Sequence, residues 1–141
     1  MRGELPLSYE GLTIEWMTEA LCAGHPGAAV TDFALGPVDS GSSNRRKIAV
    51  SYNAAGQAAG LPAKLFCKAT HDLANRIVLG ISGGAEGEMI FYRNIRPLLD
   101  IESPNAVFAA YNPANINSLI MMEDLSDSVT SFCDHTTEMT R

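Results

Sequence analysis

Two residues set the chemical question posed by this sequence. Lys68 stands in the apolar run Lys64-Leu65-Phe66-Cys67-Lys68-Ala69, and the chain has only three lysines (Lys47, Lys64, Lys68) beside seven arginines. Glu88 opens a series at helical spacing whose later members, Phe91, Tyr92, Ile95, Leu98 and Leu99, are all apolar or aromatic. A carboxylate at the head of a buried stripe is costly to remove from water unless a cation meets it. Lys68 is the expected partner, because a strand lysine can project toward a helix laid on the same sheet. Lys64 shares its strand face but lies beside Pro62 at the strand start, where it is expected to be exposed. A Lys68–Glu88 pair has two uses. It can fix a positive point charge for an anionic group such as phosphate, or it can be a structural ion pair at the rim of a helix–sheet core.

Two further segments bear on that choice. Gly41-Ser42-Ser43-Asn44 is small enough for its backbone N–H groups to approach an anion closely, and it carries no acid. It lacks the G-x-G-x-x-G spacing, and the same residues suit an ordinary hairpin turn. Met121-Met122-Glu123-Asp124-Leu125 follows an apolar strand and precedes a polar stretch. Its backbone can meet a flat heterocycle there, or it can be a strand end with two solvated acids.

The elements that position these residues follow from pattern. A helix is expected from Ile14 to Ala23, with Thr13 as N-cap and Leu12 and Met17 as a hydrophobic staple. Gly24 and Pro26 end it. Strands are expected at 30–35 and 47–52, joined by the turn-rich run Gly36 to Asn44 as a hairpin. A small-residue loop from Asn53 to Pro62 leads to a third strand, Lys64 to Ala69. A short helix is expected over His71 to Leu79, with Leu73, Ile77 and Val78 on one side. A longer helix is expected from Ala85 to Leu99, and Pro104 separates it from a strand at Val107 to Tyr111. After a turn at Asn112 to Asn115, the continuous apolar strand Ser118 to Met122 suggests a sheet interior. Short links between successive strands give an α+β fold with a five-stranded, mostly antiparallel sheet.

Composition excludes several classes. The chain of 141 residues is about one domain long, and 46% hydrophobic content fits a folded chain. A net charge of −6 disfavours nucleic acid as a partner. No run approaches the ~18 apolar residues of a membrane span, and the start Met-Arg-Gly-Glu-Leu-Pro-Leu does not read as a secretory signal. Cys22, Cys67 and Cys133 are odd in number and far apart, which indicates neither a disulfide framework nor a zinc site. Cys67 reads as a core residue, and a cytoplasmic setting is expected.

In order along the chain, these pieces resemble the N-terminal lobe of the aminoglycoside phosphotransferase and choline-kinase-like superfamily, in its ecdysteroid-kinase-like branch. The matching residues are Leu12 to Met17, Gly41-x-Ser43-Asn44, Leu61-Pro62, Leu65 to Lys68, Glu88-x-x-Phe91-Tyr92, Pro104 and Met122 to Leu125. Protein kinases use a strand lysine paired with a helix glutamate to hold the ATP phosphates. The resemblance implies that Lys68 binds nucleotide phosphates, that Glu88 pairs with it, and that Gly41, Ser42, Ser43 and Asn44 cover the phosphates. It implies that Glu123, Asp124 and Leu125 contact adenine through the backbone. It further implies ATP with magnesium as cofactors and phosphoryl transfer to a small-molecule hydroxyl. The family's catalytic and metal-binding acids lie in a second, helical lobe that has no counterpart here; neither His71-Asp72 nor Asp134-His135 is followed by the family's downstream residues. The expectation is therefore a single nucleotide-binding lobe, inactive alone, with the acceptor and magnesium contacts supplied by the missing lobe. The alternative is a non-catalytic binding or interaction module of the same shape.

Overall fold

A computed structural model describes residues 4–129 and 132 of the chain. The helix α1 spans Ile14–Leu21, and the Thr13 Oγ1 accepts from the Trp16 N–H at 3.2 Å, as its capping role requires. Leu12 and Met17 are both buried, so the staple forms as well. Five strands follow: β1 (Val30–Ser40), β2 (Asn44–Tyr52), β3 (Lys64–Ala69), β4 (Ala106–Asn112) and β5 (Asn117–Glu123). They form one sheet in the order β1-β2-β3-β5-β4, with every neighbouring pair antiparallel. The fold is α+β with a five-stranded antiparallel sheet.

The central place of β5 explains its unbroken apolar sequence. Leu119 and Met121 join the core on the α1 face, with Met17, Leu21, Ile48, Leu65 and Cys67. Ile120 and Met122 pack on the opposite face with Ala109, Phe66, Met89 and Tyr92. Burial on both faces removes the alternation that a one-sided strand shows. Cys67 is fully buried, as expected, and its surroundings push the thiol pKa up to about 12. Cys133, Asp134 and His135 lie outside the described residues.

Three sequence expectations need correction. The run Gly36 to Ser40 is strand, not turn: β1 continues through it, with a register shift between Leu35 and Val38. As an edge strand, β1 tolerates Pro37, which has no N–H to give to a ladder. Gly36 is needed for close approach, because a Cβ there would stand 3.0 Å from the Lys47 carbonyl oxygen. The loop after Asn53 contains a short helix, α2 (Ala54–Ala58), whose Gly56 N–H is capped by Asn53 at 3.0 Å. The short helix expected after β3 forms as α3 (Leu73–Ile81), and its Leu73, Ile77 and Val78 are exposed. The long helix from Ala85 to Leu99 is broken. A regular helix α4 (Gly84–Ile90) passes into a π-turn at Phe91–Ile95 and a 3-10 turn at Arg96–Leu98 that contains Pro97. Met89 and Tyr92 carry the sheet-facing contacts and Ala85 is buried, while Ile95, Leu98 and Leu99 are exposed. The apolar stripe headed by Glu88 therefore ends within its first turn.

Among the described residues no helix is long and apolar enough to cross a membrane.

Candidate functional site

The β2–β3 register builds the site. Arg45 pairs with Lys68, Lys47 with Phe66 and Ala49 with Lys64. Directly opposed residues share a sheet face, so Arg45, Lys47, Lys64 and Lys68 form a group of four cations on one face. This is the face on which α4 lies, since Phe66 packs with Met89 and Tyr92.

Each cation has an acid. The Lys68 ammonium donates to Glu88 Oε1, and the two side chains keep 28% and 31% of their exposure. The pair is shielded from bulk water yet reachable from one side, which strengthens its field without closing the site. Arg45 bonds Asp39 at 3.0 Å, Lys47 bonds Asp124 at 2.9 Å and Lys64 bonds Asp127 at 2.5 Å. Lys64 is exposed, as expected from its place at the strand start. Asp127 beside it raises the Lys64 pKa, through a hydrogen bond first and its charge second.

Asp124 is not a solvated acid. Its side chain is only 9% exposed. Burial pushes its pKa up, but hydrogen bonds from Ser126 and Lys47 outweigh that and hold it below the usual aspartate value. The backbone is fixed at the same point, since the Asp124 N–H donates to the Lys64 carbonyl at 3.0 Å. Glu123 pairs with Leu65 in the ladder, and its Oε1 accepts from the Asn105 backbone at 3.3 Å. Leu125 begins a 3-10 turn, Leu125–Asp127. A cleft of about 400 Å³ lies here, lined by Ala34, Lys47, Ala49, Lys64 and Asp124 among others.

The hairpin closes the other end. Ser40 pairs with Asn44, which leaves Gly41-Ser42-Ser43 as a three-residue loop two positions from Arg45 and its partner Lys68. The Gly41 N–H turns inward to the Ser43 carbonyl at 3.0 Å, and Ser43 and Asn44 are buried. The Asn44 amide is fully engaged. Its Oδ1 accepts from the backbone N–H of His71 (2.9 Å) and of Asp72 (3.1 Å), and its Nδ2 donates to Asp72 Oδ2 at 2.6 Å. Tyr9 donates to the Asn44 carbonyl at 2.7 Å. Asn44 is therefore a clasp that ties the hairpin to the start of α3.

Of the residues singled out from sequence, Lys68 and Glu88 meet directly, and Gly41 to Asn44 lie at the same end of the sheet. Glu123, Asp124 and Leu125 lie at the opposite end of β3. Four residue steps of a strand separate Lys64 from Lys68, about 13 Å. Sequence reasoning missed Lys47, Asp127 and Asp72. Alternation had placed Lys47 on a strand, but nothing local announces a partner 77 positions away.

Among the described residues no three His, Cys, Asp or Glu side chains form a group able to hold a metal ion. Compared with protein-family models, curated proteins and solved structures, the chain matches none.

Proposed function

We propose that the chain is a nucleotide-binding lobe of kinase-like build, serving ATP-dependent phosphoryl transfer to a small-molecule hydroxyl. One observation carries this reading: the Lys68–Glu88 pair keeps close to a third of its exposure and stands beside a small-residue hairpin loop, at one end of a face whose other end holds a cleft. A lysine held by a glutamate offers a positioned charge to phosphate oxygens. The ~13 Å between the two ends suits an extended nucleoside phosphate, with its base at the Lys64 and Asp124 end. The Lys47–Asp124 and Lys64–Asp127 pairs leave that end nearly neutral, as an uncharged base requires. Gly41 and Ser42 are the exposed members of the loop; the Gly41 N–H is held by the Ser43 carbonyl, which leaves the Ser42 N–H to approach phosphate, and Ser43 and Asn44 hold the loop in place.

Magnesium would accompany the nucleotide. Among the described residues the acids do not gather into a site for it, so this lobe's residues bind and orient the phosphates and no step is assigned to the ion. Calorimetric titration of the chain with ATP tests the reading. Saturable binding that is lost in Lys68→Met is the expected outcome. Equal binding by that variant, or none by the parent chain, overturns it.

A further inference from the structure

We propose that the outer edge of β4 binds an extended peptide by strand addition, and that the peptide carries a basic and an acidic residue on opposite faces. A pocket of about 230 Å³ lies at β4. Four consecutive strand residues, Ala106 to Ala109, line it. Successive side chains of a strand point to opposite faces, so a pocket on one face cannot take four in a row. The core contacts show the same division: Val107 and Phe108 pack with the α1-side core, whereas Ala106 and Ala109 pack with the α4-side core. The pocket therefore lies along the strand's edge and opens to both faces.

That edge is free. β4 ends the sheet and pairs only with β5 among the described residues. The register shift between Ala106 and Phe108 interrupts the ladder at this point. An unpaired edge is normally guarded by charge, proline or a cover. The opposite edge strand, β1, carries Asp32, Pro37 and Asp39. The β4 sequence Ala-Val-Phe-Ala-Ala-Tyr-Asn has no charge and no proline.

The walls select the occupant. On one face stands α1, with Trp16 set edge-on to Phe108 at a centroid distance of 5.2 Å. On the other stands the π-turn with Tyr92 and Arg93. A slot with helical walls on both sides suits a lone strand better than the edge of another sheet with its own helices. Glu19 lies on the α1 wall and Arg93 on the π-turn wall, both exposed, and neither has a salt-bridge partner among the described residues. A bound strand turns alternate side chains to the two walls. A cation toward Glu19 and an anion toward Arg93 must then sit an odd number of residues apart. This site includes none of the residues assigned to the nucleotide (Lys68, Glu88, Gly41 to Asn44, Glu123 to Leu125), and its fate is independent of the nucleotide reading.

Two capped peptides of identical composition test it: Thr-Val-Lys-Glu-Val-Thr, with its charges on opposite faces, and Thr-Lys-Val-Glu-Val-Thr, with both on one face. Trp16 is the only tryptophan, so its emission reports occupancy, and amide exchange at Val107 to Ala109 reports strand pairing. The first peptide is expected to bind saturably, protect those amides and bind about threefold tighter than the second, the scale of one exposed ion pair. Glu19→Gln combined with Arg93→Gln is expected to erase the preference while leaving the unfolding midpoint unchanged. No saturable binding, equal affinity of the two peptides, or protection that arises from self-association in sedimentation without peptide each overturns the proposal.

Discussion

Removing either member of the Lys68–Glu88 pair leaves a charge that the fold has partly desolvated. In Lys68→Met the Glu88 carboxylate, with 31% of its side chain exposed, loses its counter-charge. In Glu88→Gln the Lys68 ammonium keeps a neutral acceptor but loses its counter-charge. At an effective dielectric of ~20 and a separation of ~3 Å, the gross attraction is about 5 kcal/mol. Desolvation of both ions offsets most of it. Because each side chain retains close to a third of its exposure, the net coupling belongs between the surface and buried limits, at about 1–2 kcal/mol. Urea unfolding of the parent, the two single variants and the double variant at pH 7 measures it. The singles should each lower the midpoint at unchanged m, and the double should cost less than their sum by that coupling. Effects that add to within about 0.3 kcal/mol would refute the pairing as an energetic unit.

Further outcomes follow from neighbouring features. His71 is pushed down to about 4, by burial first and by Arg76 second, against weaker opposing pulls from Asp72 and Glu10. Its folded pKa lies below the unfolded value, so this stability is present above pH 6.5 and is lost as pH falls toward 4. The full shift corresponds to about 3 kcal/mol, or about 1–2 kcal/mol after allowance for residual solvent contact. His71→Asn should flatten that limb of a stability-against-pH curve, and an unchanged limb would assign it to other groups. Gly56→Ala should cost about 1–3 kcal/mol by urea unfolding, because the new methyl would stand 2.7 Å from the Tyr52 Cβ. Gly87→Ala should instead stabilise α4 by about 0.5–1 kcal/mol, because nothing lies within 4 Å of its Cβ position.

Much of this architecture is legible in the sequence wherever one periodicity governs one element. Ile48, Val50 and Tyr52 alternate and form the buried face of β2. Thr13 caps α1 through its own side chain. The Lys68–Glu88 contact is legible for a similar reason: an acid at a sheet-facing helix position needs a cation, and few cations are available. The failures arise where tertiary context overrides local signal. Gly36-Pro37 reads as a turn because both residues break regular structure, yet a bulged edge strand accepts them. The series from Glu88 to Leu99 assumes a constant helical period, and the π-turn at Phe91–Ile95 shifts every later residue off the sheet. Asn44 could not be read as a clasp, because its partners His71 and Asp72 lie 27 and 28 positions away and share no pattern with it. Asp124 could read as a solvated strand-end acid for the same reason, since its partner Lys47 lies far back along the chain.

The proposed nucleotide would lie on one face of the sheet, between the hairpin and the end of β5. Backbone amide shifts recorded during titration with ADP test this position by position. The largest changes are expected at Gly41, Ser42 and Lys68 and at Asp124 and Leu125, with Val107 to Ala109 unmoved. Changes centred on the β4 edge, or none at millimolar ADP, would contradict it.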